Sequence, residues 1–121
     1  MATKQLEAQV RHVPGAAIID LEGDINGFAE ETLNAAYDEA EAYDTSSVVL
    51  NFSHVEYMNS TGIALIVGLL AQARKSHRRL LIYGLSEHYL EIFKITRLAD
   101  FMDVLADESS ALASVRADSS V

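Results

Sequence analysis

The chain has 121 residues, 50% of them apolar, and it contains no cysteine, which excludes disulfides and zinc–thiolate sites. Eighteen acidic and nine basic side chains give a formal charge of −9 and a pI of about 4.7, and the whole acidic excess lies in residues 1–60. Nucleic acids and anionic lipids repel such a chain, so we expect a protein partner, no nucleic acid and no membrane.

Length and apolar content predict one domain over residues 1–121, with an ordered core at about residues 5–115 and a flexible tail at about 116–121. The N-terminal residues lack the apolar core of a signal peptide, and no stretch reaches the roughly 18 apolar residues of a membrane span. We therefore expect a cytoplasmic protein.

The first half of the chain predicts a hairpin, a helix and a buried strand. Alternating apolar and polar side chains, broken by Pro14-Gly15 and followed by an apolar run, are typical of an antiparallel hairpin. Apolar residues at helical spacing come next, and then a short apolar run typical of a central strand. The expected elements are strands over residues 6–13 and 16–21, a loop at 24–27, a helix over 29–43, a strand over 48–52 and a connection at 53–57.

The second half alternates between helices and strands. A long apolar helix ends among cations, which suit the negative end of the helix dipole. The expected elements are helices over residues 60–76, 88–96 and 107–115, with strands over 80–83 and 101–105. The pattern predicts an α/β fold with a mixed, mostly parallel sheet, an N-terminal hairpin strand and about four helices.

The sequence offers little for catalysis. The four histidines, at positions 12, 54, 77 and 88, lack metal-ligand spacing, and no phosphate-binding glycine loop or G-x-S-x-G elbow is present. The carboxylates fall mostly on the outer face of the first helix, as in a solvated surface. We therefore predict no enzyme, no catalytic residue, no metal and no cofactor.

A polar segment, Asn59-Ser60-Thr61-Gly62, joins the buried strand to the apolar helix. It has two interpretations. In the first, Asn59 or Ser60 caps the helix and Gly62 allows close packing. In the second, an exposed hydroxyl at a helix N-terminus is offered to a kinase, because free N–H groups and the helix dipole favour a phosphate there.

The segment resembles the signature of the STAS domain family, in which an acidic residue, a serine, a serine or threonine and a glycine open the second helix. Residues 21–26, with the helix that ends near Tyr43, resemble the family's strand, turn and first helix. Residues 48–53 resemble the strand before the phosphorylated serine, and residues 84–98 the later strand, turn and third helix. The resemblance covers about residues 6–115.

The resemblance implies a bacterial anti-sigma-factor antagonist, which binds an anti-sigma factor and so releases a sigma factor. The partner is commonly a serine kinase that phosphorylates the antagonist, and a serine phosphatase resets it. By the resemblance, Ser60 is the phosphorylated residue, with Thr61 as the alternative acceptor, in a monomer or weak dimer. The expected partner-binding residues are Asp24, Asn26, Phe28, Asn59, Ser60, Thr61, Gly62, Leu65 and Leu69.

Two residues depart from the family pattern. Asn59 stands where an aspartate usually precedes the serine, and Asn26 replaces the acidic residue that closes the earlier turn. Neutral amides still form hydrogen bonds, but they would weaken phosphorylation if the carboxylates orient the hydroxyl. A scaffold or signalling module without phosphorylation control is therefore the alternative. A small-ligand sensor for nucleotides or lipids is a third possibility, resting on fold analogy.

The helix over residues 60–76 is apolar on nearly all sides. We expect a core-facing stripe of Ile63, Ile66, Val67 and Leu70. A second group is then left as an exposed partner patch, unless a neighbouring helix covers it. That group comprises Ala64, Leu65, Gly68 and Leu69.

Overall fold

The computed structural model describes residues 4–119, with side chains from Lys4 to Ala117. The described residues form one five-stranded sheet in which spatial order follows chain order, with the first two strands antiparallel and the others parallel. The strands are β1 (Glu7–Val13), β2 (Ala16–Ile25), β3 (Ser47–Met58), β4 (Arg79–Tyr83) and β5 (Asp103–Leu105), and the helices are α1 (Glu30–Ala42), α2 (Ser60–Lys75), α3 (Glu87–Ile95) and α4 (Glu108–Ser119). The predicted α/β class, mixed sheet and helix number are confirmed.

Helices cover both faces of the sheet, but unequally. α1, α2 and α3 bury one face, where Leu50 of β3 and Phe93 of α3 belong to the large core. On the other face, α4 covers Ile18, Val49 and Leu81 with a smaller apolar cluster. The middle of β2 and β3 is therefore buried on both sides, which explains the unbroken apolar runs in these strands.

β3 is longer than predicted. The expected connection at residues 53–57 is strand, because it pairs with β2, which continues into the first two residues of the expected loop at residues 24–27 and ends at Ile25. Asp20 pairs with Asn51 and Ile25 with Met58, with two register shifts between these pairs. β3 therefore places more residues than β2 between the same two points, as bulges do. The hydrophobic pattern did not predict this extension because many of its residues are polar.

Other boundaries also differ from prediction. β5 starts at Asp103, after a 3₁₀ turn at Leu98–Asp100, and not at residue 101. α4 continues to Ser119, so the tail predicted from about residue 116 is helical as far as the structure describes it. Residues 1–3, 120 and 121 lie outside the described part of the chain.

A polar cluster fixes α4 to the sheet. The Arg11 guanidinium of β1 bonds the carboxylate of Asp20 at 2.6 and 3.0 Å and that of Glu108, on α4, at 2.6 Å. The Tyr83 hydroxyl donates to Glu108 at 2.8 Å, and the Asn51 amide donates to Asp20 at 2.8 Å. The cluster thus joins four strands to α4.

The same contacts change the ionisation of both carboxyl groups. Hydrogen bonds from Arg11 and then from Tyr83 lower the pKa of Glu108. Burial opposes ionisation of Asp20, but the hydrogen bonds from Arg11 and Asn51 outweigh it and lower the pKa of this group too. A carboxyl whose pKa is lower in the folded state stabilises the fold above its unfolded pKa, and this contribution is lost as pH falls through the folded pKa.

We predict that Glu108→Gln reduces both the stability of the protein and its acid sensitivity. Because the paired side chains are partly exposed, solvent screening limits the loss at neutral pH to about 1 kcal/mol. Urea denaturation between about pH 7 and about pH 3 should show a smaller fall in the free energy of unfolding for the variant than for the wild type. Glu39→Gln, an exposed residue of α1, is the control. Superimposable pH curves for Glu108→Gln and the wild type would contradict the prediction.

Candidate functional site

Two asparagine-capped turns lie side by side at the carboxyl ends of β2 and β3. Ile25 and Met58, the last residues of these strands, are register partners. The two turns that follow therefore begin next to each other, at the same level of the sheet. The Asn26 side-chain oxygen accepts a hydrogen bond from the Phe28 N–H at 2.9 Å, and that of Asn59 accepts from the Gly62 N–H at 2.8 Å. Both amides therefore act as N-caps, a role for which asparagine and aspartate are equally suited.

Ser60 and Thr61 form the exposed first turn of α2. The first N–H groups of a helix have no partner within the helix, and the dipole makes this end positive. The Thr61 methyl group lies 3.6 Å from where a Cβ on Gly27 would stand, so the turn after β2 borders the start of α2. The structure thus presents two hydroxyls at an anion-favouring helix end, beside a second capped turn.

Gly62 makes this arrangement possible. A Cβ on residue 62 would lie 1.9 Å from the Ile25 carbonyl oxygen. This distance is too short for any side chain to fit. The reason is space and not conformation, since Gly62 is an ordinary helical residue. The Asn59 N–H also donates to that carbonyl, at 3.3 Å. Asn59 and Gly62 therefore hold the start of α2 directly against the end of β2.

Tyr89 supports the site from behind, and sequence reasoning missed it. Its hydroxyl, buried beneath α3, accepts from the Met58 N–H at 2.7 Å and donates to the Met58 carbonyl at 3.3 Å. Both backbone groups of the last β3 residue are thereby satisfied, immediately before Asn59. The apolar face of α3 marks Tyr89 as buried, but no sequence pattern identifies the strand end that its hydroxyl contacts.

The predicted partner residues of the first turn have different environments. Phe28 is 93% exposed, which leaves nearly the whole ring free for a contact. Asp24 is half-buried, and its carboxylate accepts from the backbone N–H of Lys4 at 3.0 Å. The Asp24 N–H in turn donates to the Lys4 carbonyl at 2.9 Å. Asp24 therefore holds the N-terminal segment of the chain in place. This structural role is separate from any contact that Asp24 makes with a partner.

The predicted exposed stripe on α2 is partly wrong. Leu69 is buried, at 1% exposure, whereas Val67, expected in the core, is 42% exposed. Gly62 must face the sheet, and helical geometry then turns positions 66, 69 and 73 to the same side. Leu65 is half-buried, while Ala64 and Gly68 are exposed as expected. Leu69 is therefore a core residue and no partner contact.

The comparisons with known proteins agree with this fold. A family model described as the STAS domain matches residues 7–111, from β1 into α4. The chain belongs to the STAS domain family. The resemblance carried by the segment around Ser60 is thereby confirmed.

Several proteins and solved structures to which this STAS domain is similar are described as anti-sigma factor antagonists. An anti-sigma-B factor antagonist of Staphylococcus epidermidis is 42% identical over 60 residues, which is 50% of this chain and 56% of the relative. The match thus spans little more than half the length of that relative. The structure of an anti-sigma factor antagonist from Mycobacterium paratuberculosis has a TM-score of 0.80 at 18% identity, over 93% of this chain and 95% of that one.

A second solved structure shares the fold. The Bacillus cell fate determinant SpoIIAA, in its phosphorylated form, has a TM-score of 0.69 at 22% identity, over 90% of this chain and 99% of that one. At these identities the two structures show a common fold and no more. None of the helices within residues 4–119 has the length and apolarity that crossing a membrane requires.

We predict opposite effects for alanine at the two glycines of α2. Gly62→Ala forces α2 away from the Ile25 carbonyl and should cost about 1–3 kcal/mol or more, as overpacking does. Gly68→Ala is the matched control in the same helix, where a Cβ meets nothing within 4 Å. It should gain about 0.5–1 kcal/mol through reduced chain entropy. Chemical denaturation measures both, and a Gly62→Ala variant as stable as the wild type would contradict the close contact.

Lysine substitutions test the rotation of α2. Leu69→Lys places a charge in the core and should cost about 3 kcal/mol or more, or prevent folding. Val67→Lys, on the exposed side, should change stability by no more than about 0.5 kcal/mol. Thermal unfolding followed by circular dichroism compares the two. Equal tolerance of both substitutions would show that the buried side of α2 is assigned wrongly.

Proposed function

We propose that this STAS domain is a cytoplasmic anti-sigma factor antagonist. It binds an anti-sigma factor through the surface formed by Phe28, Ser60 and Thr61, and phosphorylation of Ser60 by a partner serine kinase ends the binding. The observation that carries the proposal is the position of Ser60, exposed in the first turn of α2 and bordered by a second capped turn with an exposed phenylalanine. The anti-sigma-B factor antagonists among its relatives support the same role.

The fold is suited to accept a phosphate at Ser60. The side chain is exposed, so modification displaces no core contact. A phosphate at a helix N-terminus gains roughly 0.3–1 kcal/mol from the dipole and the free N–H groups. The neighbouring cap is the neutral amide of Asn59, which adds no like charge beside it. We therefore expect phosphorylation to leave the folded state intact.

The partner contact is far less tolerant. An interface that buries Ser60 as a neutral hydroxyl would have to desolvate nearly two negative charges after phosphorylation. Burying an unpaired charge costs several kcal/mol. Each 1.4 kcal/mol is a factor of ten in affinity, so a penalty of about 3–4 kcal/mol reduces binding some hundredfold or more. A serine phosphatase that removes the phosphate restores the binding form.

One specific observation favours the alternative of a scaffold without phosphorylation control. Asn26 and Asn59 are both engaged as caps, and neither supplies a carboxylate that can orient or deprotonate the Ser60 hydroxyl. Partner binding needs only the exposed surface, whereas phosphoryl transfer also needs chemistry at the hydroxyl. A variant with aspartate in place of one of these asparagines therefore tests phosphorylation separately from partner binding.

Intact-mass measurement with ATP and candidate anti-sigma kinases tests the switch. One added phosphate is expected on the wild type and on Thr61→Ala, and none on Ser60→Ala, with the position located by peptide mapping. Asn59→Asp should be phosphorylated faster. In binding assays Ser60→Ala should retain full affinity for the anti-sigma factor, and Ser60→Asp should bind at least tenfold more weakly while remaining folded.

Three results would contradict parts of this proposal. If Ser60→Asp binds the anti-sigma factor as tightly as the wild type does, charge at Ser60 does not control binding. If no kinase modifies even Asn59→Asp while binding is intact, the scaffold alternative replaces the switch. Loss of the phosphate in Thr61→Ala with its retention in Ser60→Ala would move the acceptor to Thr61.

A further inference from the structure

The end of the molecule opposite to Ser60 carries a second unusual surface. At 1.5 Å per residue, α2 places Arg74 about 21 Å from Ser60. Phe101, just after the 3₁₀ turn, is 57% exposed, and Ile95, at the end of α3, is 72% exposed. The Arg74 guanidinium lies 5.6 Å from the centre of the Phe101 ring. Two large apolar side chains are therefore left in solvent, and one of them, Phe101, lies beside a cation.

Phe101 borders one of two clefts that have both apolar and charged lining residues. One cleft of about 300 Å³ is lined by Leu70, Arg74, Phe101 and their neighbours, and a second of about 390 Å³ by Phe93, Lys94 and theirs. The two clefts share Ala99, Met102 and Asp103, so they adjoin each other. We call the two adjoining clefts, with Arg74 and Phe101 beside them, the basal trough.

Among the described residues, the charged side chains of the basal trough that form no ion pair are cations. Arg78 is already paired with Glu41 and Asp44, and Arg79 with Asp103. Arg74, Lys75 and Lys94, by contrast, form no ion pair with the described residues and are exposed. Arg78 and Arg79 line the first cleft, but carboxylates already engage them, so they do not form an anion pocket. The apolar lining residues and the exposed cations beside them suit an acidic protein surface with a projecting apolar side chain.

This chain presents such a surface at its other end. Phe28 projects at 93% exposure. Three exposed carboxylates of the same end of the sheet, on Glu30, Glu31 and Glu56, form no ion pair with the described residues. We propose that the basal trough receives the Phe28 end of a second copy of this chain, so that copies associate head to tail.

Charge selects this arrangement over a two-fold dimer. In a two-fold contact, the trough would face itself and bring like charges from Arg74, Lys75 and Lys94 together. In the head-to-tail contact these cations face carboxylates. The net charge of −9 opposes any association, but at physiological salt screening acts beyond about 8 Å and leaves close ion pairs largely effective. The association is therefore weak and concentration-dependent.

The association has a regulatory consequence. Phe28 lies on the turn beside Ser60, so every copy whose Phe28 end is docked has its Ser60 hydroxyl covered. Head-to-tail association would thus compete with any partner of the Ser60 surface. Binding of such a partner would dissociate the head-to-tail oligomers. The inference itself concerns this chain alone and does not depend on the proposed function.

Sedimentation velocity over a concentration series tests the proposal. The wild type should show a mean mass that rises with concentration. Arg74→Glu, which damages the trough, and Phe28→Ser, which removes the projecting ring, should each remain monomeric. A 1:1 mixture of the two variants should recover a dimer, because one supplies an intact Phe28 end and the other an intact trough. The mixture should not extend beyond the dimer, since only damaged ends remain.

Gln9→Glu is the control, since it adds negative charge at an exposed residue of β1, the sheet edge opposite to β5, and this residue lines neither cleft. It should associate as the wild type does, and circular dichroism should show all variants folded. A wild type that is monomeric throughout would overturn the proposal. So would variants that associate normally, or a mixture that stays monomeric, because each result is incompatible with pairing of two different ends.

Discussion

The contact between the Gly62 backbone and the Ile25 carbonyl oxygen determines the geometry of the rest of the site. With less clearance than a Cβ requires, the start of α2 lies directly on the end of β2, and two consequences follow. Ser60 and Thr61, which precede Gly62 by two residues and one residue, are turned outward into solvent. Ile66 and Leu69, on the same side of the helix as Gly62, are turned inward and fully buried. One contact thus sets both the exposed hydroxyls and the core face of the longest helix.

Local patterns in the sequence were sufficient for the order of strands and helices and for the segment around Ser60. The hydrophobic period, the glycines and the cap residues act within a few positions, so the sequence displays them directly. The rotation of α2 was mispredicted because it depends on residues 25 and 62, which are far apart in the chain. The extension of β3 was missed for a related reason, since its polar residues are held as strand by the neighbouring β2. The Tyr89 contact likewise joins backbone and side chain across 31 residues.

The two asparagines have opposing effects on a phosphorylated serine. As caps they satisfy the same N–H groups that aspartates would, so the fold loses little by the exchange. As neutral groups they remove like charge from the neighbourhood of Ser60, which makes a phosphate there easier to hold once it is formed. They also remove a carboxylate that can assist its formation. Asparagine in place of aspartate thus affects the equilibrium and the rate of modification in opposite directions. The two effects can be told apart because the structure shows both side chains engaged as caps.

The distribution of exposed apolar side chains would allow the proposed change at Ser60 to act without a change of fold. Both faces of the sheet are covered by helices, and the polar cluster around Arg11 fixes the smaller cover, α4, in place. Phe28, Ile95 and Phe101, the most exposed of the large apolar side chains, lie at the two ends of the strands, outside the core. A partner that contacts these ends does not need to open the core, and a phosphate at Ser60 alters only the charge of one end. Control by such a phosphate, as proposed, would therefore be electrostatic: it would change the cost of desolvating the surface while the packing beneath it stays the same.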